Sequence, residues 1–93
     1  MNIIEFLESL GYDARIGWSY ALVKTYKANK KIGNVIVEVY LETNNNKIVF
    51  ITIDLLKEYR SKNLNYNTLL KSKCSNLEEI EPIVDKLLKI INK

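Results

Sequence analysis

Apolar residues recur at helical spacing at the start of the chain. The residues on that helical face are Ile3, Phe6, Leu7 and Leu10. Asn2 and Glu5 form a capping pair in front of the apolar run, and Gly11 suits the left-handed position that ends a helix. The pattern predicts a first helix over residues 3–10.

From Trp18 onward the pattern changes to alternation of apolar and polar residues, with many β-branched and aromatic side chains. It predicts three strands, over about residues 18–27, 35–42 and 47–53. The segments KANKKIGN and TNNN lie between them and predict hairpin loops, because asparagine and glycine tolerate the positive φ of tight turns. We therefore expect an antiparallel meander.

Helical spacing returns after the third strand. Asp54 is a plausible N-cap for LLKEYRSK, which places Leu55, Leu56 and Tyr59 on one face of a short second helix. The tail SNLEEIEPIVDKLLKIINK predicts a last helix.

We expect Ser75 with Glu78 to cap the first turn of that last helix, and its main part to begin near Pro82. The sequence thus predicts one compact α+β domain over residues 1–93, with a three-stranded antiparallel meander, helices on one face and the order α-β-β-β-α-α.

Alternation assigns the strand residues to two faces. The predicted core face holds Ala21, Val23, Thr25, Val35, Val37, Val39, Leu41, Val49, Ile51 and Ile53. The second face holds Trp18, Tyr20, Leu22, Lys24, Tyr26, Ile36, Glu38, Tyr40, Glu42, Ile48, Phe50, Thr52 and Asp54. The second face is unusually aromatic, and three explanations compete: a helix of the same chain covers part of it, a protein docks there, or nucleic-acid bases stack on it. Charge disfavours the last, because Lys24 is the one cation on this predicted face against Glu38, Glu42 and Asp54.

The second face supplies the candidate protein interface, through its aromatic and aliphatic members. These are Trp18, Tyr20, Leu22, Tyr26, Ile36, Tyr40 and Phe50. The net charge of +3 supplies an alternative, a nucleic-acid site on the basic 27–31 hairpin and the 57–62 helix. Its candidate residues are Arg15, Lys27, Lys30, Lys31, Lys57, Arg60 and Lys62.

Catalytic chemistry finds little support in the composition. The chain has no histidine, its three glycines are scattered, and no serine lies in a nucleophile motif. Glu38 and Glu42 could hold a hard cation such as magnesium, but exposed strand glutamates are far commoner than metal ligands. We therefore predict no catalytic residues, no metal and no cofactor, and a lone Cys74 that forms no internal disulfide.

The leading functional prediction is a small non-enzymatic interaction protein, such as an adaptor or a mobile-element or viral accessory protein. It would act by contact with a protein partner or with itself as a homodimer, and nucleic-acid binding is the alternative. We expect no membrane contact and a cytoplasmic location, because the chain has no long apolar run and MNIIEFLESL does not resemble a secretory signal.

Overall fold

The fold is a five-stranded antiparallel sheet with a helix near each end of the chain. It comes from a computed structural model that describes residues 2–59 and 65–92. The elements are α1 Ile3–Ser9, β1 Asp13–Tyr20, β2 Val23–Ile32, β3 Val35–Asn44, β4 Lys47–Tyr59, β5 Asn65–Cys74, a 3₁₀ turn Leu77–Glu79 and α2 Ile80–Ile91. The strands follow one another in the order β1-β2-β3-β4-β5. The prediction of a three-stranded sheet is therefore wrong, although the meander topology extends through all five strands.

The first helix forms as its capping signal predicts. The side chain of Asn2 accepts a hydrogen bond of 2.8 Å from the Glu5 backbone N–H, and its amide donates to the Glu5 carboxylate at 3.2 Å. Gly11 follows the helix with φ of 93°. The chain leaves α1 in this left-handed conformation and enters β1 two residues later.

Two-residue turns connect the first four strands. Asn45 and Asn46 have φ of 53° and 64°, as a tight hairpin turn requires. The turn predicted at TNNN is confirmed in place, but Thr43 and Asn44 belong to β3 and only Asn45 and Asn46 leave the sheet. Gly33, with φ of 62°, and Asn34 form the β2–β3 turn. The predicted KANKKIGN loop is wrong in extent, because KANKKI belongs to β2 and only Gly33 and Asn34 leave the sheet.

The predicted first strand over 18–27 contains a hairpin. Its chain reverses at Ala21 and Leu22, and Ala21 takes the positive φ of 54°. A residue of the β3–β4 turn stabilises this turn, since the Asn45 backbone N–H donates to the Leu22 carbonyl at 2.9 Å. One predicted strand is therefore parts of β1 and β2.

The predicted second helix is also wrong. Its first residues continue β4, and a register shift between Leu55 and Leu56 accompanies the strand's extension. Leu55 is fully buried whereas Leu56 is partly exposed, which is the alternation of a strand and not the shared face of a helix. Arg60 and Lys62 lie outside the described residues.

The last helix begins at Ile80, close to the predicted start near Pro82, after the 3₁₀ turn Leu77–Glu79. Glu79 binds the residues that precede the 3₁₀ turn: its carboxylate accepts hydrogen bonds from the Ser75 backbone N–H at 3.1 Å and from the Asn76 side chain at 3.0 Å. Ser75 and Glu78 therefore do not form the predicted capping pair. Pro82 lies in the first turn of α2, where its missing N–H costs no helical hydrogen bond.

Both helices pack on the same face of the sheet, which we call the covered face. The core between helices and sheet contains Leu7, Tyr12, Ala28, Val35, Val37, Val39, Leu41, Ile51, Ile53, Leu55, Ile80, Val84 and Leu87. The core predictions at 35, 37, 39, 41, 51 and 53 are confirmed. Ala21 lies exposed in a turn, and Val49 is skipped at a register shift in β4 and is 56% exposed, so these two assignments are wrong.

Candidate interaction surface

The opposite face of the sheet carries no helix among the described residues, and we call it the open face. Strand register places on it Asp13, Arg15, Thr25, Lys27, Asn29, Lys31, Ile36, Glu38, Tyr40, Glu42, Phe50, Thr52, Asp54, Leu56, Lys71 and Lys73. Its β3 members are partly exposed and alternate with fully buried neighbours along the strand. The open face is therefore the broad surface of the sheet that remains available for contact.

Tyr40 lies at the centre of the open face, on the middle strand. Its ring centroid is 5.9 Å from that of Phe50, and the two rings are tilted by 32°. The neighbouring Thr52 hydroxyl donates to the Tyr40 carbonyl at 3.4 Å. With Ile36 and Leu56, a cross-strand pair further along β3 and β4, these rings form an apolar centre on a face that also carries charges.

One row of residues crosses all five strands through Tyr40. The register links Arg15, Lys27, Tyr40, Thr52 and Lys73 in this order. The row thus has cations toward both edges of the sheet. Arg15 and Lys27 are directly opposite one another and exposed, although like charges in such cross-strand pairs repel.

Acidic side chains occupy the middle strands on either side of that row. Glu38 and Glu42 flank Tyr40 along β3, and neither forms an ion pair with any described residue. Asp54 lies opposite Glu38, and its Oδ1 is buried and 3.8 Å from the Lys71 ammonium, a charge contact too long for a hydrogen bond. The open face therefore combines an acidic middle with basic flanks.

A close backbone approach shapes the β1 side of the open face. The hydroxyl of the buried Thr25 accepts from the Trp18 backbone N–H at 2.8 Å and lies beneath Gly17, where a Cβ would be only 2.7 Å from Oγ1. Trp18 is 51% exposed and lines a hollow there together with Arg15, Lys27 and Tyr40. Thr25, predicted in the core, is thus buried by β1 and not by a helix.

The predicted interface residues divide into three groups. Ile36, Tyr40 and Phe50 lie on the open face, and Trp18 borders it. Tyr20 and Leu22 lie at the β1–β2 turn, where they are strongly exposed. Tyr26 packs against the core on the covered face, because its predicted strand was out of register with the true one.

The predicted nucleic-acid residues do not form one patch. Arg15, Lys27 and Lys31 lie on the open face, whereas Lys57 lies opposite the core residue Val35. Lys30 points to the covered side, where its ammonium donates to the Leu10 carbonyl at 3.0 Å and to Glu81 at 3.2 Å. The predicted basic hairpin tip is therefore part of a strand, and Lys30 is engaged within the fold.

Other chemistry is sparse in the described residues. Burial, followed by the charge of Glu79, raises the pKa of the Cys74 thiol, which makes it a poor nucleophile at neutral pH. Across 2–59 and 65–92, no group of three or more metal-ligating side chains comes together. No helix in that part of the chain is long and apolar enough to cross a bilayer.

Sequence reasoning missed several members of the open face. The sequence pattern predicts a helix at Leu56 and no element at Lys71 and Lys73. It also hides the pairing of Arg15 with Lys27, because it does not predict the β1–β2 turn. The period-two pattern of TLLKSKC was the available signal for β5.

Comparison of the chain with protein-family models, curated proteins and solved structures finds no match.

Proposed function

We propose that this is a small non-enzymatic interaction protein that binds another protein chain through the open face of its sheet. The observation that carries the proposal is the apolar centre around Tyr40 and Phe50, which neither helix covers. An antiparallel sheet normally places polar residues on the side away from its helices. Aromatic side chains in such a position are typical of the centre of a protein interface.

The charges around this centre favour a protein partner over a nucleic acid. Glu38, Glu42 and Asp54 lie in the middle of the face, where a phosphate backbone crossing the sheet would be repelled. A folded protein surface can present both signs of charge and match this arrangement. Nucleic-acid binding through Arg15, Lys27 and Lys31 is the second candidate, since these cations lie on one side of the face. A cytoplasmic place of action, where thiols stay reduced, is compatible with the single Cys74.

Photo-crosslinking tests the proposal in cells of the source organism. A benzoylphenylalanine replaces Tyr40 in one variant and Ile90 in the control, because Ile90 is a 49% exposed apolar residue on α2, away from the open face. We expect a protein adduct of defined mass from position 40 and none from position 90. Absence of any protein adduct at position 40, or equal adducts at both positions, contradicts the proposal. A nucleic-acid adduct at position 40 supports the second candidate instead.

A further inference from the structure

We infer that the partner on the open face is a second copy of this chain, which crosses the first at about a right angle, with Tyr40 at the crossing point. The inference rests on the proposed function and names its partner. It follows from the arrangement of charge around Tyr40. The basic row runs across the strands, and the acidic pair Glu38 and Glu42 runs along β3.

The basic row and the acidic pair form a cross centred on Tyr40, and the two arms of this cross have similar lengths. Lys27 is one strand from Tyr40, and Arg15 and Lys73 are two strands away in opposite directions, which corresponds to about 5 and about 10 Å. Glu38 and Glu42 are each two residues from Tyr40 along the strand, or about 7 Å. A quarter turn about Tyr40 therefore places the acids of one copy within about 3 Å, measured in the plane of the sheet, of the other copy's cations.

Stacked sheets lie about 10 Å apart, a gap that facing side chains fill. The long side chains of arginine and lysine can adjust by the remaining few ångströms. Arg15 and Lys27 then face one glutamate of the second copy, and Lys73 faces the other. This pairing results for either sense of the quarter turn, because cations lie on both sides of Tyr40 in the row and acids lie on both sides along the strand.

A two-fold axis along the diagonal of the cross makes the contact isologous and closed. Each cation–carboxylate pair then occurs twice, and the two Tyr40 rings meet on the axis. Packing with nearly aligned strands, the other common arrangement of stacked sheets, would place acids over acids and cations over cations. The charge pattern thus selects the orthogonal arrangement.

The overlap of the crossed faces is large enough for a specific dimer. Five strands of about ten residues cover about 24 by 34 Å, so two faces crossed at a right angle overlap over about 24 by 24 Å, or roughly 600 Å² on each copy. The two copies together would bury about 1,200 Å², the lower end of the range for specific protein interfaces. Tyr40 and Phe50 would be removed from water, and the charged arms would lie around them.

Two charge-reversed variants test the crossing. One carries Glu38→Lys and Glu42→Lys, and the other carries Arg15→Glu, Lys27→Glu and Lys73→Glu. All five side chains are at least partly exposed. Sedimentation equilibrium from micromolar to millimolar protein gives the dissociation constant of each protein and of their equimolar mixture, and circular dichroism confirms that each is folded.

We expect a wild-type dimer, weakening by about tenfold or more in each variant alone, and recovery in the mixture, because each variant's row then faces the opposite charge on the other's β3. A control with Lys57→Glu, Lys86→Glu and Lys89→Glu has the same net charge as the basic-to-acidic variant, with all three changes at exposed sites away from the open face. It should dimerise like the wild type.

Several results would overturn the inference. These are a wild type that stays monomeric at millimolar concentration, folded variants that dimerise as the wild type does, and a mixture that fails to recover. A mixture that associates while the wild type stays monomeric would also contradict the crossing, because an all-positive and an all-negative face attract one another in any orientation. If the crosslink at position 40 captures a different protein while the wild type is monomeric, the inference fails and the proposed function stands.

Discussion

The ammonium of Lys30 lies 4.6 Å from the centroid of the Tyr12 ring, on the covered face of the sheet. The same ammonium donates to the Leu10 carbonyl after α1 and to Glu81 in α2. A single side chain from β2 thereby contacts the ends of both helices. Its cation–π contact, hydrogen bonds and ion pair are partly shielded from water, which strengthens each of them.

Replacement of Lys30 with methionine should lower the free energy of unfolding by about 1–3 kcal/mol. Methionine keeps most of the side-chain volume but leaves the Leu10 carbonyl and the Glu81 carboxylate without their shared partner. Urea denaturation measures the change, and Lys86→Met, an exposed lysine of α2, serves as the control. Equal stability of the two variants would show that Lys30 contributes nothing beyond an ordinary surface lysine.

Tyr12 should tolerate loss of its hydroxyl. The phenol oxygen is buried and has no hydrogen-bond partner among the described residues. An unsatisfied buried polar group costs about 1–3 kcal/mol, so Tyr12→Phe should leave stability unchanged or raise it by up to that amount. Thermal unfolding at neutral pH measures the change. A clear loss of stability in Tyr12→Phe would mean that the hydroxyl has a partner.

The same tyrosine should make stability depend on alkaline pH. Burial first, and then the carboxylates of Glu81 and Asp85, raise the pKa of Tyr12 well above its usual range. The unfolded chain releases this proton near pH 10 while the folded protein keeps it. Stability from Tyr12 is therefore complete below about pH 10 and decreases as the pH rises further.

Tyr12→Phe lacks this ionisation, so its stability advantage over the wild type should grow between pH 9 and about pH 11. The comparison cancels the contributions of lysines and of the other tyrosines, which both proteins share. Parallel stability curves over this pH range would contradict the expectation.

Gly17→Ala should destabilise the protein by about 1–3 kcal/mol. The added methyl group would be 2.7 Å from Thr25 Oγ1, and that hydroxyl is buried and bonded to the backbone of Trp18. A double-mutant cycle with Thr25→Ala provides the check, because removal of the hydroxyl removes the close contact. The cost of Gly17→Ala should be smaller in the Thr25→Ala background, and additive costs would argue against the contact.

Adjacent leucines in β4 should respond very differently to a charge. Leu55→Glu places a carboxylate in the core and should prevent folding or cost more than about 3 kcal/mol. Leu56→Glu places it on the open face and should cost about 1 kcal/mol or less at protein concentrations below those of association. Urea denaturation compares the two. Similar costs would indicate that both leucines share one environment, as they would on a helix.

The parts of the fold that were predictable have local causes. Asn2 caps α1 by accepting a hydrogen bond from the backbone of Glu5, only three residues away. Asn45 and Asn46 adopt a positive φ, which asparagine tolerates better than most residues. The alternation of β3 also identified its buried residues. Each of these features depends only on residues that are close together in the sequence, so the sequence pattern is enough to predict it.

The errors occurred where distant residues decide the local conformation. Ala21 turns with a positive φ that alanine disfavours, and the turn is completed by a hydrogen bond to Leu22 from Asn45. Residues 55–59 contain good helix formers, yet pairing with β3 and β5 extends them as a strand. Tertiary contacts outweigh propensities of a few tenths of a kcal/mol per residue.

The candidate site was predictable only in its centre. Tyr40, Phe50 and Ile36 follow from the alternation of two correctly placed strands. Lys73 joined the row only through the unpredicted β5, and Arg15 and Lys27 became neighbours only through the unpredicted β1–β2 hairpin. The cross of charges therefore depends on register, a property that composition does not reveal.

The two-residue turns between consecutive strands from β1 to β4 also affect how fast the chain can fold. Each of these strands meets its partner after a loop of two residues, so the entropy cost of closing each hairpin is small, and isolated hairpins form in about 1–10 μs. The contacts of Lys30 with the ends of the two helices, by contrast, form only after Leu10, Lys30 and Glu81, which are distant in sequence, come together. We therefore expect a transition state with the central hairpins already paired, and docking of the helices around Lys30 as the later event.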